Sequence, residues 1–425
     1  MTQRAAQPQP VPQGTSGGQC CRFCGAPLEH VFADLGMSPL ANSNVPLERA
    51  TAMEPFYPLC ALVCERCRLV QVKDTESPRY IFSDEYAYFS SYSSSWLEHC
   101  RRYVDQTVQR LGLDGSSQVV ELASNDGYLL QYFVERGIPA LGVEPTANTA
   151  QVALDKGIPT RIEFWTAEAA RALAAETRAD LLVANNVLPH VPDINDFVAG
   201  MKIALNDGAT ITAEFTHLLK LIELNQWDTI YHEHFSYFSF ASAERLFARH
   251  GLRLFDVEEI PTHGGSLRVY GCHAEDPRER SDAARELLER ERHAGLQDLQ
   301  TYLGYGTRVV EDKRQILDLL IGLKRAGNSI AGYGAPAKAN TLLNYCGVGR
   351  DVLDFTCDVN PRKQGHVLPG THIPILAPAA IRERRPDVVM ILPWNIKDEI
   401  MDELSYIRDW GGVFAVRSPE LRLFE

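Results

Sequence analysis

The chain has no uninterrupted apolar run approaching the roughly 18 residues that a membrane-crossing helix needs, although 45% of its 425 residues are hydrophobic. No membrane partner is therefore expected. The first eighteen residues, MTQRAAQPQPVPQGTSGG, lack the apolar centre of a signal peptide. They are expected to form a disordered tail (residues 1–18), and the compartment is expected to be the cytoplasm. Positive charge is scarce: 42 Lys and Arg face 55 Asp and Glu, a formal charge of −13. That balance excludes a general nucleic-acid surface while leaving room for a local basic pocket that holds a phosphorylated small molecule.

Cysteine is present but unevenly spread. Of the ten, four form the knuckles Cys21-Arg-Phe-Cys24 and Cys64-Glu-Arg-Cys67. A two-residue gap lets both thiolates of a turn face one ion, and two such turns close a tetrahedral zinc site with no open position for catalysis. Cys20 and Cys60 lie near enough to leave the choice of ligands open, with Cys21, Cys24, Cys64 and Cys67 the set the spacing favours. A hydroxyl-rich stretch follows, and Tyr86 within it is a candidate substrate contact.

The central region alternates strand-like and helical patterns. Gln118 to Leu122 runs into SNDGYLLQYFVERG, and PALGVEPTANTAQVALDKG repeats strand, acid and helix. An acid at each of two successive strand ends, Glu121 and Glu144, is the layout of a doubly wound sheet holding a nucleoside, where a carboxylate can take the ribose hydroxyls. The turn ELASNDG lacks the GxGxxG that lets backbone approach a pyrophosphate. A nucleoside without phosphates, S-adenosylmethionine, is therefore the expected cofactor. Its candidate contacts are Glu121, Ala123, Asn125, Gly127, Glu144 and Pro145, with Asn185 and Asn186 at the end of the third strand, DLLVANN, and His190 just beyond on the same rim.

In chain order, CRFCG with CERC, ELASNDGYLL, NNVLPHVPD, YHEHFSYFS, GGSLRVY, GYGAPAKANTLLN and CDVNPRKQGHVLPGTHIPI closely resemble the sugar C-methyltransferases of antibiotic deoxysugar pathways, from about Cys21 onward. Ala123 and Asn125 stand where methyltransferases in general carry glycine, a variant this family shares. The resemblance implies methyl transfer from S-adenosylmethionine to a carbon beside the ketone of a nucleotide-linked 4-keto-deoxysugar, dTDP being the expected nucleotide and C3 favoured over C5. Methylating carbon requires a carbanion equivalent, so a base must remove the α-hydrogen while donors stabilise the enolate oxygen. The resemblance makes His234 that base. Glu233 is suited to holding its second nitrogen if the turn brings them together, and Tyr231 and His190 are the donor candidates.

The expected fold class is α/β: a zinc-binding module over residues 19–78, a Rossmann-like class I methyltransferase domain with a helical lead-in over 79–276, a helical connector over 277–325, and a second Rossmann-like domain over 326–425. The last domain is expected to grip the nucleotide-sugar through Lys338 and Lys363, with His263 and Ser266 of THGGSLRVY as further contacts. Its GYGAPAKAN resembles a dinucleotide loop but carries Pro336 and Lys338 where that fingerprint expects neither. A nicotinamide-dependent oxidoreductase or epimerase is thus a competing reading, as are a sugar O-methyltransferase and a non-enzymatic zinc scaffold. Three domains of this size could enclose the site within a monomer.

Overall fold

The computed structural model describes residues 19–73, 89–92, 94–417 and 420–425, so Tyr86 lies outside the described residues. The N-terminal module contains β1 (His30–Ser38), β2 (Val45–Pro46), β3 (Tyr57–Val63) and β4 (Val70–Val72). In the central domain, β5 (Val119–Leu122), β6 (Ala140–Val143), β7 (Thr160–Arg161), β8 (Ala179–Asn185) and β9 (Leu205–Thr216) alternate with helices. Then come β10 (Ser236–Tyr237), β11 (Leu252–Ile260) and β12 (Ser266–His273). The C-terminal domain supplies β13 (Ile330–Tyr333), β14 (Thr356–Cys357), β15 (His366–Val367), β16 (Ile375–Leu376), β17 (Val388–Ile391), β18 (Val413–Arg417) and β19 (Leu421–Phe424).

The central sheet has the order β11-β12-β9-β8-β5-β6-β7, in which β5 to β9 pair in parallel and β12 is antiparallel to both neighbours. The strand β5 is buried throughout and β8 everywhere but Asp180, which is why they read as mostly apolar runs rather than alternating ones. This is the expected methyltransferase sheet, and its order reverses beside β5, where open sheets place a ligand at strand carboxyl ends. The antiparallel pair β11-β12 was not legible in the sequence, because GGSLRVY drew attention as a ligand loop rather than as a strand start. A second sheet, β16-β14-β13-β17-β18-β19, is parallel except for its last strand and forms the other α/β domain.

The cores do not respect the module boundaries. Cys21, Phe23, Cys64 and Cys67 of the zinc knuckles pack into one apolar cluster with the central sheet. Phe32, Leu59 and Val63 of the N-terminal sheet pack into another, with Leu218 to Tyr237, the connector and the C-terminal sheet. The two-residue β10 even joins the N-terminal sheet, in the order β1-β3-β4-β10. The connector is therefore more than a link: helix Tyr305–Arg325 buries Tyr305, Val309, Asp312, Ile316 and Leu320 along one face, and the Tyr305 ring stacks on Phe32 with centroids 4.4 Å apart. No helix among the described residues is long and apolar enough to cross a membrane.

Candidate active site

The carboxyl ends of β5, β6 and β8 meet at one turn. After β5 the chain passes through Ala123, Asn125 and Gly127 with φ of 53°, 49° and 75°. Left-handed backbone is glycine's territory, and here two side-chain-bearing residues hold it. Gly127 is also required by space, since a Cβ there would lie 2.4 Å from Ile158 Cδ1. Glu144, at the end of β6, braces this turn: it accepts the Asn125 N–H and the Thr146 N–H, each at 2.8 Å. Pro145 follows it, half-buried on the rim. The Ser90 and Ser91 N–H groups rest on Asn125 Oδ1 at 3.0 Å and Asp126 Oδ2 at 3.2 Å.

Around these strand ends, Ser124 Oγ, Asp126 Oδ1, Asn185 Oδ1 and Asn186 Nδ2 are buried without a hydrogen-bond partner, and the buried Glu121 carboxylate has only the Tyr128 hydroxyl beside it. Each such orphan costs about 1–3 kcal/mol in a finished core, so their concentration here fits a ligand rich in hydroxyl and amino donors. Burial pushes the Glu121 carboxyl well up, with the Tyr128 hydroxyl acting against it; a ribose diol donating to that carboxylate would act in the same sense as Tyr128. The residues present thus fit S-adenosylmethionine.

The zinc ligands also converge. The sulfurs of Cys21, Cys24, Cys64 and Cys67 all lie within 4.8 Å of one another, with Cys21–Cys67 at 3.6 Å and Cys24–Cys64 at 3.5 Å. A tetrahedron of Zn–S bonds near 2.3 Å sets its sulfurs about 3.8 Å apart, so the four suit zinc. The Gln71 amide donates to Cys21 Sγ at 3.2 Å, a contact that would favour a thiolate there. Cys20 and Cys60 stand outside the group.

The motif Tyr231-His232-Glu233-His234 divides its labour. His234 Nδ1 lies 3.1 Å from the Thr229 carbonyl, which can only accept, so Nδ1 carries the hydrogen and Nε2 presents its lone pair. The Tyr231 hydroxyl donates to that Nε2 at 2.7 Å. Glu233 does not hold the ring, contrary to expectation: its carboxylate turns toward the N-terminal module and accepts from Asn42 Nδ2 at 2.8 and 2.7 Å. The peptide between them points the two neighbouring side chains in different directions. His190 Nδ1 donates to the Glu233 main-chain carbonyl at 2.9 Å, so neutral His190 offers a lone pair at Nε2 instead of the expected hydrogen. The His190 and His234 rings sit edge to face, 4.7 Å between centroids. His232 turns away and bonds to the Pro58 carbonyl.

Burial lowers the pKa of His234 well below its ordinary value, and nearby His190, His263 and Lys338 add to the effect. It takes His190 and His263 down to about 4. Lys338 falls to about 8, again by burial, with Asp228 opposing. All four residues are half-buried rather than sealed from solvent. His263 of the central domain and Lys338 of the C-terminal domain thus both lie near enough to His234 to act on its charge. Lys338 lies over the Trp394 ring, 4.1 Å from its centroid, and donates to Asn395 Oδ1 at 2.7 Å. Lys363 is less available than expected: it donates to the Ala335 carbonyl at 2.8 Å and lies 3.7 Å from Asp358. Ser266 Oγ donates to the Thr262 carbonyl, which makes it part of the turn that presents His263 at φ 55°.

Sequence reasoning missed the groups that hold this loop still. Asp228 accepts from Arg417 Nη1 at 2.6 Å and from Trp394 Nε1 at 2.7 Å. Asp312 of the connector accepts from Arg417 Nη2 at 2.8 Å and Trp227 Nε1 at 2.6 Å. Arg417 is 1% exposed, so one guanidinium from the C-terminal sheet sits buried between two carboxylates and ties three elements distant in sequence. A single polar residue in a strand gives no sign of such pairing.

Three families match the chain in order: "Putative zinc binding domain" at residues 21–82, "Methyltransferase domain" at 96–257, and "C-methyltransferase C-terminal domain" at 261–419. The C-methyltransferase NovU of Streptomyces niveus is 36% identical over 404 residues, 95% of this chain and 96% of that one. Among solved structures, magnesium protoporphyrin IX methyltransferase (ChlM) from Synechocystis PCC 6803 is 13% identical over 46% of this chain and 91% of its own, with a TM-score of 0.34. An S-adenosylmethionine-dependent methyltransferase from Clostridium acetobutylicum is 9% identical over 42% and 92%, with a TM-score of 0.33. At those scores neither structural likeness carries an argument.

Proposed function

From the premise that this chain belongs to the C-methyltransferase family and is an S-adenosylmethionine-dependent enzyme, we propose that it methylates the carbon next to the ketone of a nucleotide-linked 4-keto-deoxysugar, C3 in preference to C5, by way of an enolate. The observation that carries this reading is the arrangement of His234, whose Nδ1 faces the Thr229 carbonyl and whose Nε2 lone pair meets the Tyr231 hydroxyl. A buried imidazole whose tautomer is fixed is equipped to take a proton from carbon, a step that oxygen or nitrogen acceptors do not require.

Tyr231 hydrogen-bonds to Nε2 when no sugar is present. On arrival of the ketone its hydroxyl turns to the carbonyl oxygen, uncovers the base and donates to the charge that develops there. Lys338, cationic beside the same cleft, holds the nucleotide-sugar's diphosphate, with Trp394 as its platform. His263 lines the wall between them. Bound S-adenosylmethionine supplies an electrophilic methyl group, and Glu121 with Asn185 and Asn186 would hold it at the strand ends. Zinc, held by four thiolates with no open position, contributes scaffold and no chemistry.

Incubation with methyl-labelled S-adenosylmethionine and freshly generated dTDP-4-keto-6-deoxy sugars, followed by NMR of the product, tests the proposal. A label on a ring carbon beside the ketone is expected. A methoxy signal would move the reaction to oxygen, and no transfer to any such sugar by protein that binds the cofactor would overturn the acceptor class.

A further inference from the structure

The zinc module meets the loop around His234 at several points, among them the Pro58 carbonyl beside His232 and the pairing of β4 with β10, and one of these contacts falls on Glu233. Asn42 lies in the segment just after β1, and its Nδ2 donates to both oxygens of Glu233 at 2.8 and 2.7 Å. Glu233 is 4% exposed, so this is a charge-assisted contact made out of water, the strong kind. The Glu233 main chain in turn carries the carbonyl that orients His190, and the next residue is His234. We propose that Asn42 is a positioning residue for the reaction, acting through the Glu233 carboxylate to hold the loop that sets His190 and His234. The inference rests on His234 being the base.

Asn42 is itself held firmly. The neighbouring Ala41 carbonyl accepts from Asn340, β2 pairs with β15 of the C-terminal domain, and Glu54 accepts from the Gly370 N–H at 2.8 Å and from His372 at 3.0 Å. At its other end, β3 runs directly into Cys64. Thus the segment bearing Asn42 is braced by the C-terminal domain on one side and by the sheet that the metal site closes on the other. Burial pushes the Glu233 carboxyl up to about 7, while Asn42 and then Lys363 favour its ionised form. An amide facing a carboxylate is the pairing that leaves both satisfied.

The test exchanges the partners without changing their shape. N42D sets carboxylate against carboxylate and is expected to lower kcat about 10- to 100-fold, while the dissociation constant for S-adenosylmethionine, which binds at other strand ends, stays within about twofold. E233Q sets amide against amide and is expected to lower kcat less. The double variant N42D/E233Q restores an amide–carboxylate pair with reversed polarity, and kcat should recover to within about threefold of the parent. Wild-type kcat in N42D, or a double variant whose loss is the product of the two single losses, overturns the inference. H234A, run in parallel, keeps the two readings apart: if it is fully active, the base assignment fails, whatever Asn42 does.

Discussion

His234 has one nitrogen committed to the Thr229 carbonyl and the other accepting from the Tyr231 hydroxyl, and that asymmetry is what a proton acceptor needs. Replacing it by alanine should lower methyl transfer about 10²- to 10⁴-fold, the usual contribution of a positioned base. The same variant should lose exchange of the sugar's α-hydrogen with D₂O, read by NMR without any methyl donor, while binding S-adenosylmethionine normally. The pH profile of kcat/KM for the sugar follows from the shifts. Because burial depresses His234, its basic form survives to lower pH, and the acid limb should fall below the ordinary histidine value of about 6.5. Lys338 is protonated below about 8, so its hold on the diphosphate weakens as pH rises through that value. K338R, which cannot deprotonate in this range, should remove the alkaline limb. At the cofactor turn, Ala123→Gly should be neutral or stabilising by up to about 1 kcal/mol in a urea melt, since φ 53° strains alanine. Gly127→Ala, which drives a methyl into Ile158, should cost about 1–3 kcal/mol.

Among the elements, the segment leading to His234, the connector helix and β18 are joined by a buried ion cluster with two carboxylates to one guanidinium. Removing the cation strands both acids away from water, so Arg417→Met should lower stability by about 3–5 kcal/mol in a thermal or denaturant melt. Arg417→Lys should rescue little, because a point charge cannot reach Asp228, Asp312 and the Asn225 carbonyl together. The strands before SNDG and VEPT and the thiol knuckles are legible in the sequence, because each rests on local chemistry: apolar runs, acids at strand ends, two-residue gaps. His234 and Tyr231 are legible for the same reason. The direction of Glu233 is not, since whether adjacent residues face each other depends on one peptide's orientation. Asp228, Asp312 and Arg417 leave no mark in the sequence, because Arg417 lies 105 and 189 residues from its partners and no local pattern records that distance.

At the level of the whole molecule, the cleft belongs to no single domain. The cofactor turn comes from the central sheet, His234 from the loop that runs into β10 of the N-terminal sheet, Lys338 and Trp394 from the C-terminal domain, and Asn42 from the zinc module. The metal should accordingly matter beyond its neighbourhood. Thiol-reactive release of zinc in the presence of a chelator should free about one ion per chain, seen with a metal-binding dye, and lower the melting temperature, because the knuckles pack directly on the central core. Double substitution of Cys64 and Cys67 by serine should abolish that release.

Arg417 also puts a clock on the enzyme's birth. The loop that carries the base emerges from the ribosome early, yet its anchor follows 189 residues later. At about 5–20 residues per second, synthesis leaves the loop without that anchor for roughly 10 to 40 s. During that interval the nascent chain can already contain a complete cofactor sheet and an exposed sulfonium-binding turn, but no fixed base. A message broken between codons 273 and 417 would therefore encode every strand of the central sheet and the loop bearing His234, but not the guanidinium that anchors that loop.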